Sequence, residues 1–375
     1  MLRHCFADIF AVRLIEIPAP DFDLAMTLDS GQVFHWEKAG DGFVGTIGAH
    51  AVYVEQRSDL LQTASGEREL DRLNRSSLRR LVGNYLALDH PLAEICASFP
   101  DDPAMNAARK FCRGLRIIRQ PKWECLATFI CSSMKQVAHI RQISRKLRER
   151  FGEARKIELQ RALENATGGS AAPSGDAEQM RLRRRDFNIE RRSARSTNVF
   201  TFPSAKRLAR TSEKELRECA LGYRAKNLLA TARLIANGDI DLEEMSILSD
   251  VDLCGRLCEL PGVGAKVANC VMLFAYERLR AFPIDVWIER VLREKYFPRT
   301  RKLKPARLRL FAEKYFTEHG GYAQQYLFHH ARVGSRASAA ARDSSTPKAF
   351  GARNDKKAGA KLTRRSKVVT GRRVR

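Results

Sequence analysis

An amine and a carboxylate frame one stretch of this chain. Lys266 follows the segment Leu260-Pro261-Gly262-Val263-Gly264-Ala265, and Asp285 stands nineteen residues later in Pro283-Ile284-Asp285-Val286. The Pro-Gly-Val-Gly run ends one helix and starts another, because two glycines accept backbone angles that other residues resist. The N–H groups that open the second helix have no intrahelical acceptor, and a start built on glycine lets them come close to a phosphate. Gly262, Gly264 and Val267 are therefore expected to present backbone to a phosphate. Lys266 falls on the first turn, where the helix dipole disfavours its positive charge. An amine that can shed its proton is a nucleophile. Asp285 follows a proline and precedes Val-Trp-Ile-Glu-Arg, so it reads as a helix N-cap. The stretch offers a phosphate cradle, a nucleophilic nitrogen and a carboxylate that can steady positive charge.

Those groups need a frame. At 375 residues the chain can hold two or three modest domains with real cores. Its net charge is +24, which points to a polyanionic partner. From Arg332 to Arg375 there are 14 Lys/Arg against 2 Asp/Glu, a net of +12 and half the total, with few apolar residues. That composition predicts a disordered tail, either solubilising or attracting DNA without sequence preference. Nine scattered cysteines without a signal peptide predict reduced thiols in a cytosol. The first residues carry Arg3, Asp8, Arg13 and Glu16, which excludes a membrane span there.

Alternation and turn signals over residues 22–56, with Val33, Phe34, Trp36, Phe43, Val44, Ile47, Val52 and Val54 as strand formers, predict an antiparallel sheet. Helical periodicity then takes over at 76–87, 91–98, 102–111, 121–133 and 135–151, and again at 212–219, 223–237, 250–258, 265–276, 286–296, 305–319 and 321–334. Between them, an Ala/Gly/Ser-rich stretch and a basic run read as a flexible insertion at about 155–196. The expected fold is α+β. A sheet domain with flanking helices spans 1–110, packed on a helical domain over 111–334, and a basic tail covers 335–375.

Five segments share one resemblance: the Pro-Gly-Val-Gly hairpin with Lys266 and the downstream Pro-x-Asp, Ser30-Gly31-Gln32-Val33-Phe34-His35-Trp36, Phe129-Ile130-Cys131-Ser132-Ser133, Gly222-Tyr223-Arg224-Ala225, and Tyr322-Ala323-Gln324-Gln325-Tyr326-Leu327-Phe328. From about residue 21 to 334 they resemble the helix-hairpin-helix DNA glycosylases with a glycine/proline-rich loop and an aspartate, and within these the 8-oxoguanine DNA glycosylase/AP lyases. The resemblance implies that the Gly31 carbonyl accepts a hydrogen bond from N7–H of 8-oxoguanine, which guanine lacks. It implies that Gln324 bonds the Watson–Crick edge of the flipped base, with Phe328 on one face and Cys270 on the other. Tyr223 would wedge into the base stack, since extruding a base leaves a void, and Arg224 would support the opposite base. Lys266 would attack the sugar and Asp285 would stabilise the charge that forms there.

Three departures from the family are visible. Where relatives carry asparagines that fill the hole and read the orphaned cytosine, this chain has Met134-Lys135-Gln136, and His139 replaces an arginine that reads the same cytosine. Looser reading of the opposite base is expected, with Met134 plugging the hole by shape. Trp287 stands where relatives often place a phosphate-binding histidine, and its acidic partner is replaced within His329-His330-Ala331. No redox cofactor or catalytic metal is expected. The last cysteine is Cys270, so the four clustered cysteines of iron–sulfur relatives cannot be built. A monovalent cation at the hairpin is implied by the superfamily alone. The expected partner is double-stranded DNA containing an oxidised purine, bound by a monomer away from membranes. A bacterial cytoplasm, at the nucleoid, is expected, with a nuclear address in the tail as the alternative. Two other readings stay open: an alkylated-base glycosylase, which usually lacks the lysine, and a non-catalytic hairpin DNA-binding protein.

Overall fold

The computed structural model describes residues 14–66, 75–133, 135–157, 197–300 and 302–344. Strands β1 (Ile15–Pro18), β2 (Glu37–Ala39), β3 (Gly42–Ile47), β4 (His50–Arg57) and β5 (Leu60–Ser65) form an antiparallel sheet in the order β1-β5-β4-β3-β2. The central strand β4 is buried on both faces from Ala51 to Glu55. Val52 and Val54 face a core shared with Leu78, Val82 and Tyr85 of helix α2 (Arg75–Tyr85). Ala51 and Tyr53 face Ile157 on the other side. Glu55 survives burial because Tyr53 Oη donates to it at 2.5 Å and Arg57 Nε at 2.8 Å.

Two expectations about this end differ from the structure. Ile15–Pro18 forms a strand that the alternation from residue 22 onward did not include, and Leu24–Asp29 is helix α1, capped by Asp23. Val33 and Phe34 are buried but lie in no strand. Their apolar character answers to the interior and not to a ladder.

Helices α3 (Leu92–Ala97), α4 (Pro103–Phe111), α5 (Lys122–Ser132) and α6 (Val137–Phe151) follow. The side chains of α3 and α4 enter the helical core and not the sheet core. Asp102 caps α4, accepting from Ala104 N and Met105 N, and also takes the hydroxyls of Tyr296 and Tyr315. Helix α5 is buried from Glu124 to Ser132, as a helix apolar nearly all round must be. Strands β6 (Ala154–Ile157) and β7 (Thr197–Phe200) pair antiparallel. The expected insertion opens from this ribbon, and residues 158–196 lie outside the described residues.

The second half comprises α7 (Ala205–Ala209), α8 (Glu213–Leu216), α9 (Arg224–Asn237), α10 (Asp250–Cys258), α11 (Ala265–Ala275), α12 (Val286–Val291), α13 (Pro305–Phe316) and α14 (Gly320–Ser344). Helix α14 runs ten residues past the expected end at Gly334, through Ala337, Ala339, Ala340 and Ala341, which favour helix strongly. The basic tail after Ser344 lies outside the described residues. No described helix is long and apolar enough to cross a membrane.

A buried ionic cluster ties the sheet to the helices. Arg148 of α6 bonds Glu124 of α5, and also Thr46 Oγ1 at 2.8 Å and the Phe200 carbonyl at 2.9 Å. His35 reaches the Thr46 carbonyl at 2.9 Å. Burial raises the Glu124 carboxyl against the pull of Arg148, and burial followed by Arg148 holds the His35 imidazole well below its usual range.

A second cluster is more open. Glu277, just past α11, accepts from His90 at 2.5 Å and from Arg119 Nε at 2.7 Å, and Arg119 also binds Asp89 at 2.5 Å. The His90 hydrogen bond and then those of Arg119 hold the Glu277 carboxyl down at about 2. Because its folded value lies below the unfolded 4.5, its stabilisation is complete above that pH and is lost as pH falls toward 2. Glu277→Gln is expected to flatten the drop in melting temperature of the parent protein between those two pH values, as followed by circular dichroism.

Candidate active site

The hairpin joins α10 to α11. Leu260 N–H bonds the Leu257 carbonyl at 3.2 Å and Val263 N–H bonds the Leu260 carbonyl at 3.1 Å, which turns the chain. Gly262 has φ +83, and a Cβ there would lie 2.8 Å from the Asn227 side chain, so both its angle and its closeness to α9 require glycine. Thr231 of α9 donates to the Pro261 carbonyl at 3.1 Å and fixes the turn from behind. Gly264 caps α11, is exposed, and has open space where a Cβ would point. The first helical bond of α11 is Ala268 N–H to the Gly264 carbonyl. The N–H groups of Ala265, Lys266 and Val267 thus precede the helical ladder on an open surface, while the Val267 side chain is buried.

Lys266 is half-buried, with Nζ 5.0 Å above the centre of the Phe129 ring. Phe129 is fixed by stacking on Phe274 at 5.5 Å and by the edge of Phe34 at 6.3 Å. Sequence reasoning quoted Phe129 in a motif but gave it no part to play.

Asp285 Oδ1 accepts from Trp287 N–H at 3.1 Å and from Ile288 N–H at 2.9 Å, which makes it the N-cap of α12. Burial raises the Asp285 carboxyl. The Ile288 N–H, the Lys266 ammonium and the Trp287 N–H pull it back. Burial also raises the Cys270 thiol, against the pull of the same ammonium, and the Asp285 carboxylate pushes it the same way as burial. The charges of Lys266, Cys270 and Asp285 therefore act on one another.

A second group comes from the two ends of the chain. Gly31 has φ +90, and a Cβ there would sit 3.0 Å from Cε1 of Phe328. The bare glycine lets that ring lie against the turn. One turn earlier on α14, Gln324 is 4% exposed, and its Oε1 is buried with no hydrogen-bond partner among the described residues. A buried amide carbonyl left unpaired costs about 1–3 kcal/mol, so it marks a position kept for a donor. Phe34 connects the two groups, lying three residues from Gly31 and touching the ring beneath Lys266.

The residues expected to meet DNA are placed unevenly. Tyr223 is 57% exposed, lifted by a turn in which Ala220 and Gly222 both have positive φ. His139 is exposed on the first turns of α6. Trp287 is partly buried, with the Arg290 guanidinium 5.2 Å from its ring. Arg224, implied by the resemblance to support the opposite base, has a buried side chain. It is 5% exposed, donates to the Ser133 carbonyl at 2.7 Å and the Leu221 carbonyl at 3.3 Å, and lies 4.3 Å from the Tyr223 ring. A buried guanidinium must spend its donors, and here it props the tyrosine and grips the turn before residue 134. Met134 itself lies outside the described residues.

Among the described residues no group of three or more His, Cys, Asp or Glu is placed to hold a metal ion. A monovalent cation at the hairpin would share carbonyls already used by Val263 N–H and Thr231, which the second lone pair of each oxygen permits.

Comparison with known proteins agrees with this geometry. Residues 14–126 match the family described as 8-oxoguanine DNA glycosylase, N-terminal domain, and residues 127–315 match that described as HhH-GPD superfamily base excision DNA repair protein. The N-glycosylase/DNA lyase OGG1 of Arabidopsis thaliana is 28% identical over 326 residues, covering 84% of this chain and 78% of its own. A probable N-glycosylase/DNA lyase of Methanothermobacter thermautotrophicus is 26% identical over 327 residues, covering 85% and 96%. The solved Clostridium acetobutylicum 8-oxoguanine glycosylase/lyase, bound to double-stranded DNA containing cytosine opposite 8-oxoG, superposes with a TM-score of 0.67 at 25% identity, over 84% of this chain and 93% of that one. A hairpin that delivers an amine to a capping carboxylate, behind a sheet domain of matching type, places the chain in the HhH-GPD superfamily of base excision DNA repair proteins, among those with the N-terminal domain of 8-oxoguanine DNA glycosylases.

Proposed function

We propose that this protein is a bifunctional DNA glycosylase and AP lyase that removes 8-oxoguanine from duplex DNA in base excision repair. The observation that carries the proposal is the placement of Lys266 in the first turn of one helix and of Asp285 at the cap of the next, where the ammonium pulls against the burial of the carboxyl. Rupture of an N-glycosidic bond builds positive charge on the sugar, and a carboxylate beside C1′ stabilises it. Asp285 takes that part. Its burial makes the charge of the free carboxylate costly, so the developing cation gains more from it than it would in water.

The amine of Lys266 forms a bond to C1′ as the bond from C1′ to the base breaks, and the base leaves with that electron pair and acquires a proton. The sugar ring opens to a protonated Schiff base. Loss of a C2′ proton then expels the 3′ phosphate by β-elimination. These steps use protein groups alone.

Recognition follows the second group of residues. The Gly31 carbonyl accepts from N7–H of the lesion, the unpaired Gln324 carbonyl takes a donor on its Watson–Crick edge, and Phe328 and Cys270 close over its faces. Tyr223 fills the space beside the extruded nucleotide, backed by Arg224. Phosphates meet the N–H groups of Ala265, Lys266 and Val267 at the start of α11, beside Gly262 and Gly264. A monomer on bacterial nucleoid DNA is the setting we favour.

Lys266→Gln is expected to abolish both 8-oxoguanine release and the covalent adduct trapped by borohydride. A persistent adduct would move the nucleophile elsewhere. Asp285→Asn is expected to lower the single-turnover rate by ~100-fold or more, about 2.7 kcal/mol of transition-state stabilisation, with binding of damaged DNA retained in a gel-shift assay. An unchanged rate would remove Asp285 from the reaction. With Met134 and His139 in place of cytosine-reading residues, excision from lesion·C and lesion·A duplexes should agree within about fivefold, less than one well-made base contact is worth. A strong cytosine preference would show the opposite base to be read by other groups.

A further inference from the structure

The turn that carries Gly31 is gripped by buried amides on both sides. Gln325 Nε2 donates to the Ser30 carbonyl at 2.9 Å, and Gln120 Nε2 donates to the Gln32 carbonyl at 2.9 Å. The Gln32 side chain donates to the Arg116 carbonyl at 2.7 Å and accepts from Ile118 N–H at 2.8 Å. Between two anchored carbonyls, that of Gly31 receives no hydrogen bond from the described residues. The anchors differ in origin. Those from Gln32 and Gln120 span 84 to 88 residues of sequence, but Gln325 reaches back across 295 residues from α14. Successive helical residues point about 100° apart, so Gln324 can line the base cavity while Gln325, 3% exposed, faces the turn.

Glycine is the residue least able to hold its own carbonyl in one direction, because its backbone angles are the least restricted. At φ +90 a small rotation about the Cα bonds of Gly31 would turn the peptide between Gly31 and Gln32, and with it the acceptor, away from the base. We propose that Gln325 is a positioning residue for lesion specificity: its donor fixes the Ser30–Gly31 peptide, the pivot from which the next peptide turns, and so aims the Gly31 carbonyl at the N–H that separates 8-oxoguanine from guanine. This rests on the role given to Gly31 above. A fixed acceptor rejects a base lacking the donor far better than one that can turn aside.

The test uses Gln325→Met, which keeps the length of the side chain and removes its donor. Two single-turnover rates are compared in the full-length protein: release of 8-oxoguanine paired with cytosine, and strand cleavage at a preformed abasic site, which has no base to read. Base release is expected to fall about tenfold or more while abasic cleavage stays within about twofold of the parent. Equal losses in both, or no loss in either, would overturn the proposal. Gln325→Glu gives a second reading. Its carboxylate can only accept, so base release is lost at neutral pH. As pH is lowered and the acid becomes a donor, release should recover toward the parent. A profile parallel to that of the parent throughout would overturn the proposal. A parent that cleaves abasic DNA but leaves 8-oxoguanine in place would refute the proposed function, and this inference with it. A parent active on both substrates with equal losses in the variant would refute this inference alone.

Discussion

A protonated amine and a carboxylate that share a protein interior attract strongly, but each gives up water to be there. Lys266 and Asp285 live with that tension because the chain between them cannot spread. Asn269, one turn after Lys266, donates from Nδ2 to the Ala265 carbonyl at 2.8 Å and accepts Phe282 N–H on Oδ1 at 3.2 Å. Arg278 N–H bonds the Met272 carbonyl at 2.9 Å, and its guanidinium reaches the Ser246 carbonyl at 2.7 Å. One asparagine and one arginine thus fold residues 276–284 back against α11.

The same short connection anchors the recognition half of the site. Gly321 N–H bonds the Leu279 carbonyl at 2.7 Å, and a Cβ on Gly321 would lie 2.2 Å from Leu273 Cδ1. Helix α14 therefore begins pressed onto the loop that ends in Asp285, and one turn later it carries Gln324, Gln325 and Phe328. Asp285 and α14 share one anchor, so a shift of that loop would move Asp285, Gln324 and Phe328 together. The sheet domain meets this assembly through the Gly31 turn and through the His35, Glu124 and Arg148 cluster, in which the buried carboxylate and guanidinium are paired.

Much of this could be read before any coordinates. The hairpin, the order of helices and the cap at Asp285 follow from glycine, proline and 3.6-residue periodicity, which are local signals. What failed was non-local. Ile15–Pro18 is too short to show its pairing with β5 in its own sequence. Val33 and Phe34 look like strand because burial and strand favour the same side chains. The resemblance implies that Arg224 supports the opposite base, but only the Ser133 and Leu221 carbonyls reveal that its guanidinium is buried and bonded to backbone. Gln325 was a spacer between two named residues, because its partner is 295 positions away. Helix α14 overran its expected end since alanine content, and not amphipathicity, carries its last turns.

The β6–β7 ribbon, closed from Ala154↔Phe200 to Ile157↔Thr197, works as a clasp. Thr201 N–H bonds the Glu153 carbonyl at 3.0 Å beneath it, and Gly152 packs so close to Thr201 that a Cβ would fall 2.0 Å from its carbonyl oxygen. The two ends of the intervening segment are therefore pinned independently of what lies between them. Since closing a longer loop adds free energy only as the logarithm of its length, a change in the length of the chain joined between Ile157 and Thr197 costs the clasped fold little.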